Sequence, residues 1–414
     1  MQTVNSVKRP IQDLIYSFAA YALPTFMLQF IIFPLIAGRL SSEDNGLFLA
    51  LFNAVRLCVS LFIVPLANVR LLKKKECIAE PNCEKSFNFL FLIATGISAA
   101  LVFILGLFYY RWTFEPRDLI LLIAVLLLLS AHDYYSITFR IHITYKCILF
   151  DNLMIVSGYL VGIGLMLLFG YWELIFICGY ACGLLYTLWK SKMWRSGVTS
   201  CTNKETVTQY SQLCVSSGLN NATTYCDKML IYPLIGGYSV SVYNAAAVVS
   251  KLMSLISVPL RNVFLSYIVD VDKILISKRK QKQVKLLIIC GTGVIYGCFY
   301  VASVILCRIL YPQYFDAALR CIPIILLAIL FETYAGLLKV YLLRFEKTIL
   351  QVRTSCMKVI LYLLCVLVMN VVCDLGLKGF CISILIADCV HFVVVLLLFI
   401  KNLKNGLGKD NDVS

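Results

Sequence analysis

Five cationic residues interrupt otherwise apolar stretches of the chain: Arg56, Lys228, Lys251, Arg261 and Lys339. Four acids do the same, namely Asp133, Asp227, Glu332 and Asp388. If those stretches are membrane helices, each charge at mid-span costs about 2.5–3.5 kcal/mol, so it has to meet water, an opposite charge or a charged ligand. Arginine presents paired donors to a phosphate or carboxylate, and lysine a point charge; the cations therefore form a candidate anion-binding set, with phosphate foremost. The acids are candidate charge partners for these cations, or carriers of a coupling ion. Glu332 and Lys339, seven residues apart, share one helical face, whereas adjacent Asp227 and Lys228 point about 100° apart. Arg261 and Lys339 stand near enough to helix ends to snorkel, which Arg56 and Lys251, at mid-span, do not.

The elements that must position these charges follow from composition. Of 414 residues, 61% are hydrophobic and 14% charged, and the apolar residues come in runs of about twenty or more. A helix of that length crosses the hydrocarbon core and satisfies its own backbone groups. The pattern predicts an all-α polytopic membrane protein with twelve spans, near 14–38, 47–69, 87–110, 118–139, 147–169, 172–190, 212–235, 241–267, 286–310, 320–343, 349–373 and 378–400. The first run is long, lacks a small-residue cleavage site and leads directly into further spans, so it is not expected to be a cleavable signal. Alternate connections hold 26 Lys and Arg against 6 in the others, which predicts cytoplasmic N- and C-termini.

That asymmetry accounts for most of the net charge of +15 and removes the case for nucleic acid as a partner. The 18 Cys are scattered without a CxxC pair, and His132, His142 and His391 are dispersed, so neither a metal nor any other cofactor is expected. No GxxxxGK[ST] or HExxH occurs, and no nucleophile and base pair or carboxylate dyad sits in a loop large enough for an active site. An enzyme is not expected.

Two phrases recur in the same order. FPLIAG at 33–38 returns as YPLIGG at 232–237, and VPLANVRL at 64–71 returns as VPLRNVFL at 258–265. The first pair closes spans one and seven, the second spans two and eight, so the repeated unit is six spans. An even number predicts two parallel repeats related by an axis along the membrane normal. The expected lobes are residues 1–200, including a polar linker in 191–209, and 201–414. Pro34 and Pro65 are 31 residues apart but Pro233 and Pro259 only 26, the difference falling in the outer loop. Pro24, Pro65, Pro259 and Pro323 are expected to kink their helices, while for Pro34 and Pro233 a kink and a mere span end fit equally well.

The stretch DKMLIYPLIGGYSVSVYNAAAVVSKLMSLISVPLRNVFL at 227–265 resembles the seventh and eighth helices of bacterial polysaccharide transporters, and LIAGRLSSEDNGLF at 35–48 is similar to their first outer loop. These belong to the multidrug, oligosaccharidyl-lipid and polysaccharide exporter superfamily. The resemblance implies two six-helix lobes in a V around a central cationic cavity. It also implies flipping of an undecaprenyl-pyrophosphate-linked O-antigen repeat unit, or a related polysaccharide unit, from the cytoplasmic to the periplasmic leaflet. Arg56, Lys228, Lys251, Arg261 and Lys339 would line the cavity, and Tyr225, Asn220, Asn221, Tyr243 and Asn244 are candidate sugar contacts, with helix packing the alternative role for each. The resemblance further implies membrane lipids, a polysaccharide polymerase and a chain-length regulator as partners. The alternative within the superfamily is a cation-coupled multidrug antiporter, which should favour carboxylates in its cavity; span one has no acid between Asp13 and Glu43.

Overall fold

The computed structural model describes residues 16, 18–79, 81–110, 115–142, 144–191, 197–199, 204–248, 253, 278–345 and 348–408. Among these residues the chain is helical, with no strand. The long helices are α1 Phe18–Ala37, α2 Ser42–Leu72, α3 Pro81–Tyr109, α4 Pro116–Ile141, α5 Tyr145–Phe169, α6 Glu173–Ser191, α7 Lys204–Ile235, α8 Gly237–Ala246, α9 Lys278–Leu310, α10 Ile322–Phe345, α11 Val352–Val372 and α12 Gly376–Gly408. Ten of the helices carry a stretch long and apolar enough to cross a membrane. The exceptions are α7, long enough but interrupted by Asn220, Asn221, Asp227 and Lys228, and α8, of which only ten residues lie within the described region. The all-helical polytopic architecture expected from sequence is the one observed.

By its internal contacts the chain divides at Pro233/Leu234 into a first unit, 1–233, and a second, 234–414. Thus α7 groups with the first six helices, although the polar linker precedes it. Tyr210 donates to the Phe62 carbonyl at 3.0 Å and Tyr109 to the Met229 carbonyl at 2.7 Å, tying α7 to α2 and α3.

The prolines act mainly through their missing N–H. Pro34 follows a π-helical turn at Met27–Ile32 and Pro65 one at Val59–Ile63, so both repeated phrases of the first unit begin where the hydrogen-bond ladder is already loosened. Pro34 therefore does more than mark a span end, and Pro233 lies inside α7. Pro323 is the second residue of α10, a position that needs no donor, and starts that helix rather than kinking it. Pro259 lies outside the described residues. The shorter second phrase has a backbone cause: Gly236 adopts φ 105°, which turns the chain at once from α7 into α8, while Gly38 stays helical at φ −78°.

In the first unit, α5 lies directly on α6 because glycines remove the intervening side chains. A Cβ on Gly162 would fall 2.5 Å from the Ile175 Cα, and one on Gly158 would strike the Cys178 backbone; on the facing helix, Gly179 seats the Tyr159 ring and Gly183 accommodates Ile155 and His132. Both pairs are spaced by four, the small-residue pattern that lets membrane helices approach. Phe33, Phe48, Phe52, Trp172 and Phe176 fill the adjoining core. In the second unit α12 packs along α10 and α11, with Leu342 and Val395 buried at one contact.

Candidate functional site

The close approach of α5 and α6 builds a polar cluster inside the first unit. His132 of α4 is buried and places its two ring nitrogens against two carboxylates: Nε2 lies 2.8 Å from Asp151 Oδ2 on α5, and Nδ1 3.2 Å from Asp133 Oδ1. Thr187 of α6 donates to the other Asp151 oxygen at 2.8 Å. Asp151 is nearly enclosed, its side chain 3% exposed, whereas that of Asp133 is 29% exposed. Arg56 of α2 stands beside this group, half-buried, within electrostatic reach of Asp133, Tyr159, Tyr180 and Tyr225. The Tyr159 and Tyr180 hydroxyls hydrogen-bond each other. Arg56 thus has one partly exposed acid and several phenols around it. Such a guanidinium can exchange an internal partner for an incoming anion.

About four helical turns beyond Arg56 on α2, a second basic group is closed. Arg70, 2% exposed, lies under the Tyr134 ring at 5.2 Å and 3.5 Å from Glu84. Tyr134 donates to Asn88 at 2.9 Å, and Asn88 to the Gly197 carbonyl at 3.2 Å, so this set fastens α2, α3 and α4 to the segment before α7. Lys73 adds Glu76 at 2.9 Å and Glu205 of α7 at 4.0 Å. These are structural cations with settled partners.

The second unit has a buried ionic group of its own. Lys358 of α11 lies 2.6 Å from Asp388 of α12 and 3.4 Å from Glu332 of α10. Lys339 donates to Ser355 of α11 at 3.1 Å. His391, one turn along α12 from Asp388, is 3% exposed, and among the described residues neither ring nitrogen has a hydrogen-bond partner.

Of the residues singled out from sequence, Arg56 and Asp133 come together, and Glu332 and Asp388 share Lys358. Asp227 and Lys228 are both buried in α7. Lys251 and Arg261 lie outside the described residues. Tyr243 and Asn244, candidate sugar contacts, are buried, with Asn244 beside Tyr311. The side chain of Asn220 lies outside the described residues. Lys358 was counted with the loop cations; its place is inside the helix Thr348–Val366, and the loop asymmetry survives its removal. Sequence reasoning also passed over His132 and Asp151. The available signal was an acid in the apolar run 147–169 and a histidine next to Asp133 in another.

Among the described residues no group of three or more His, Cys, Asp and Glu converges to hold a metal ion. In the His132 cluster the reason is plain: the carboxylates meet opposite edges of the ring.

No protein-family model and no curated protein sequence matches the chain. Solved structures do. The chain is similar to the lipid II flippase MurJ in an inward closed conformation, at TM-score 0.64 and 13% identity, covering 95% of this chain and 90% of that one. An inward-facing multidrug resistance MATE family transporter of the MOP superfamily matches at TM-score 0.62 and 11% identity, over 94% and 98% of the two chains. A MATE transporter crystallised with the ligand MaD3S matches at 0.61 and 10%, over 95% of each. The fold is therefore that of the MOP-superfamily transporters, and the chain is a multi-pass membrane protein.

Proposed function

We propose that the protein is a flippase that moves an undecaprenyl-pyrophosphate-linked O-antigen repeat unit, or a related polysaccharide unit, from the cytoplasmic to the periplasmic leaflet of the bacterial inner membrane. The observation that carries this reading is Arg56, a guanidinium set among phenols beside one partly exposed acid, Asp133, inside a membrane helix bundle. An arginine in that setting suits a diphosphate, to which it presents parallel donors. The fold shared with a lipid II flippase gives the reading a precedent for a lipid-linked cargo. Lys228, Lys251, Arg261 and Lys339 are proposed to extend the anion path, with Asp133, Asp227, Glu332 and Asp388 as charge partners or coupling groups.

No catalysis is assigned to the chain. Export of a group of charge −2 from a negative cytoplasm gains about 4.6 kcal/mol per 100 mV, since each charge contributes about 2.3 kcal/mol. Both termini are placed in the cytoplasm, residues 1–200 and 201–414 are the proposed six-helix repeats, and a polymerase and a chain-length regulator are proposed to receive the product. The second reading, a cation-coupled multidrug antiporter, is favoured by the buried acids Asp151 and Asp388 and by the MATE likeness.

Complementation separates the two. In a bacterium lacking its own repeat-unit flippase, the intact chain should restore surface polysaccharide, and Arg56→Ala, Lys251→Ala and Arg261→Ala should abolish it at equal membrane abundance. Export of cationic dyes in place of polysaccharide, or indifference to all three substitutions, would overturn the flippase reading.

A further inference from the structure

The geometry points to a proton-binding site at His132, held between Asp133 and Asp151, whose occupancy is linked to anion binding at Arg56. This deepens the proposed function and, in its second half, rests on it.

The argument begins with a count of hydrogens. A neutral imidazole has one donor and one acceptor nitrogen, whereas an ionised carboxylate only accepts. His132 faces a carboxylate oxygen from each nitrogen, at 2.8 Å and 3.2 Å. Both contacts are hydrogen bonds only if the trio carries one proton more than a neutral ring and two carboxylates. Asp151 accepts from Thr187 through one oxygen and meets Nε2 with the other, while Asp133 meets Nδ1. The extra proton is shared within this trio, and the imidazole, more basic than a carboxylate by about 2.6 pH units in the free side chains, carries it.

The groups facing this pair are Arg56 from α2, Asp151 and Tyr159 from α5 and Tyr180 from α6; Tyr225 from α7 stands on the Arg56 side, and Arg70 and Glu84 are placed around neighbouring Tyr134. With the proton bound, Arg56 and His132 together balance Asp133 and Asp151. Without it the cluster bears one net negative charge, Asp133 is left to pair with Arg56, and an arriving diphosphate is opposed. Anion binding therefore draws a proton onto His132, and protonation of His132 strengthens anion binding by the same factor. Asp133, the more exposed acid, is the side from which the proton exchanges; Asp151 and Thr187 hold the ring in place.

The test uses the full chain, reconstituted in bilayers with its histidine rings labelled with nitrogen-15. Only three histidines occur, and His142→Gln and His391→Gln assign the signals. Without ligand, His132 is expected to carry a proton on both ring nitrogens at neutral pH; a singly protonated His132 there would overturn the proton site. Geranyl pyrophosphate is then added as a short prenyl diphosphate. Its affinity is expected to weaken by up to about tenfold per pH unit across the titration of His132. His132→Gln and Asp133→Asn should each remove that dependence beyond what the ligand's own ionisation produces. Binding that needs Arg56 but follows pH identically in wild type and both variants overturns the linkage alone. If wild type does not bind the diphosphate, or binds it equally well with Arg56→Ala, the anion site and the linkage fall together, while the ligand-free spectra still decide the proton site.

Discussion

Arg56 and Lys358 show how differently two buried cations can be placed. Lys358 has a carboxylate on each side and its side chain is 10% exposed, so it is a fastening between α10, α11 and α12. Removing one partner of such a group leaves an uncompensated charge, at a cost of about 3–5 kcal/mol. Lys358→Met should therefore lower the thermal unfolding temperature in detergent sharply, and Glu332→Gln, at the half-exposed partner, far less. Arg56 is only half-buried, so Arg56→Lys should keep the fold and part of the transport activity, while Arg56→Ala keeps the fold and loses transport. Equal loss of folded protein in both Arg56 variants would make it a structural cation like Arg70. At this scale the sequence displayed Arg56, Asp133, Glu332 and Asp388, because a charge within an apolar run is conspicuous. Lys358 was passed over although the expected span 349–373 contains it, and His132 was hidden because its partner Asp151 is 19 residues away on another helix.

Helix positions were legible because each apolar run is its own signal; helix contacts were not. The pairing of α5 with α6 depends on Gly158, Gly162, Gly179 and Gly183, whose spacing marks a contact only once a partner is known. Gly164, on the same helix, has open space where a Cβ would sit. Gly162→Leu should thus push α5 from α6, separate Asp151 from His132 and lower both folded yield and activity; Gly164→Leu should change little. The comparison is read by size-exclusion profile and complementation, and equal tolerance of the two would contradict the packing described. Similarly, Gly236→Val places a branched side chain at φ 105° and should destabilise the α7 to α8 turn by about 1–2 kcal/mol or more, whereas Gly38→Ala, at a helical φ, should be mild. The repeat of FPLIAG and YPLIGG was visible in sequence, but the left-handed turn that shortens the second copy was not, since glycine is permitted either conformation.

For the whole molecule, composition and loop charge carry the membrane reading, and the likeness to MOP-superfamily transporters agrees with it at 10–13% identity. At that distance a fold persists because apolar span length and helix count persist, while the substrate is set by a few side chains. The loop asymmetry predicts that reporters fused at both ends and in the α4 to α5 connection are cytoplasmic, and that one in the α11 to α12 connection is periplasmic. Inversion of that pattern would turn the proposed direction of transport around. The central claim, that the protein moves a diphosphate-linked glycan across a bilayer through Arg56, is tested most directly in proteoliposomes. There, fluorescent undecaprenyl-pyrophosphate oligosaccharide initially in one leaflet is followed by its accessibility to an added glycosidase. Wild type should expose or hide the glycan much faster than protein-free vesicles, and Arg56→Ala should fall to the protein-free rate. Wild type at the protein-free rate, or Arg56→Ala as fast as wild type, would contradict the account.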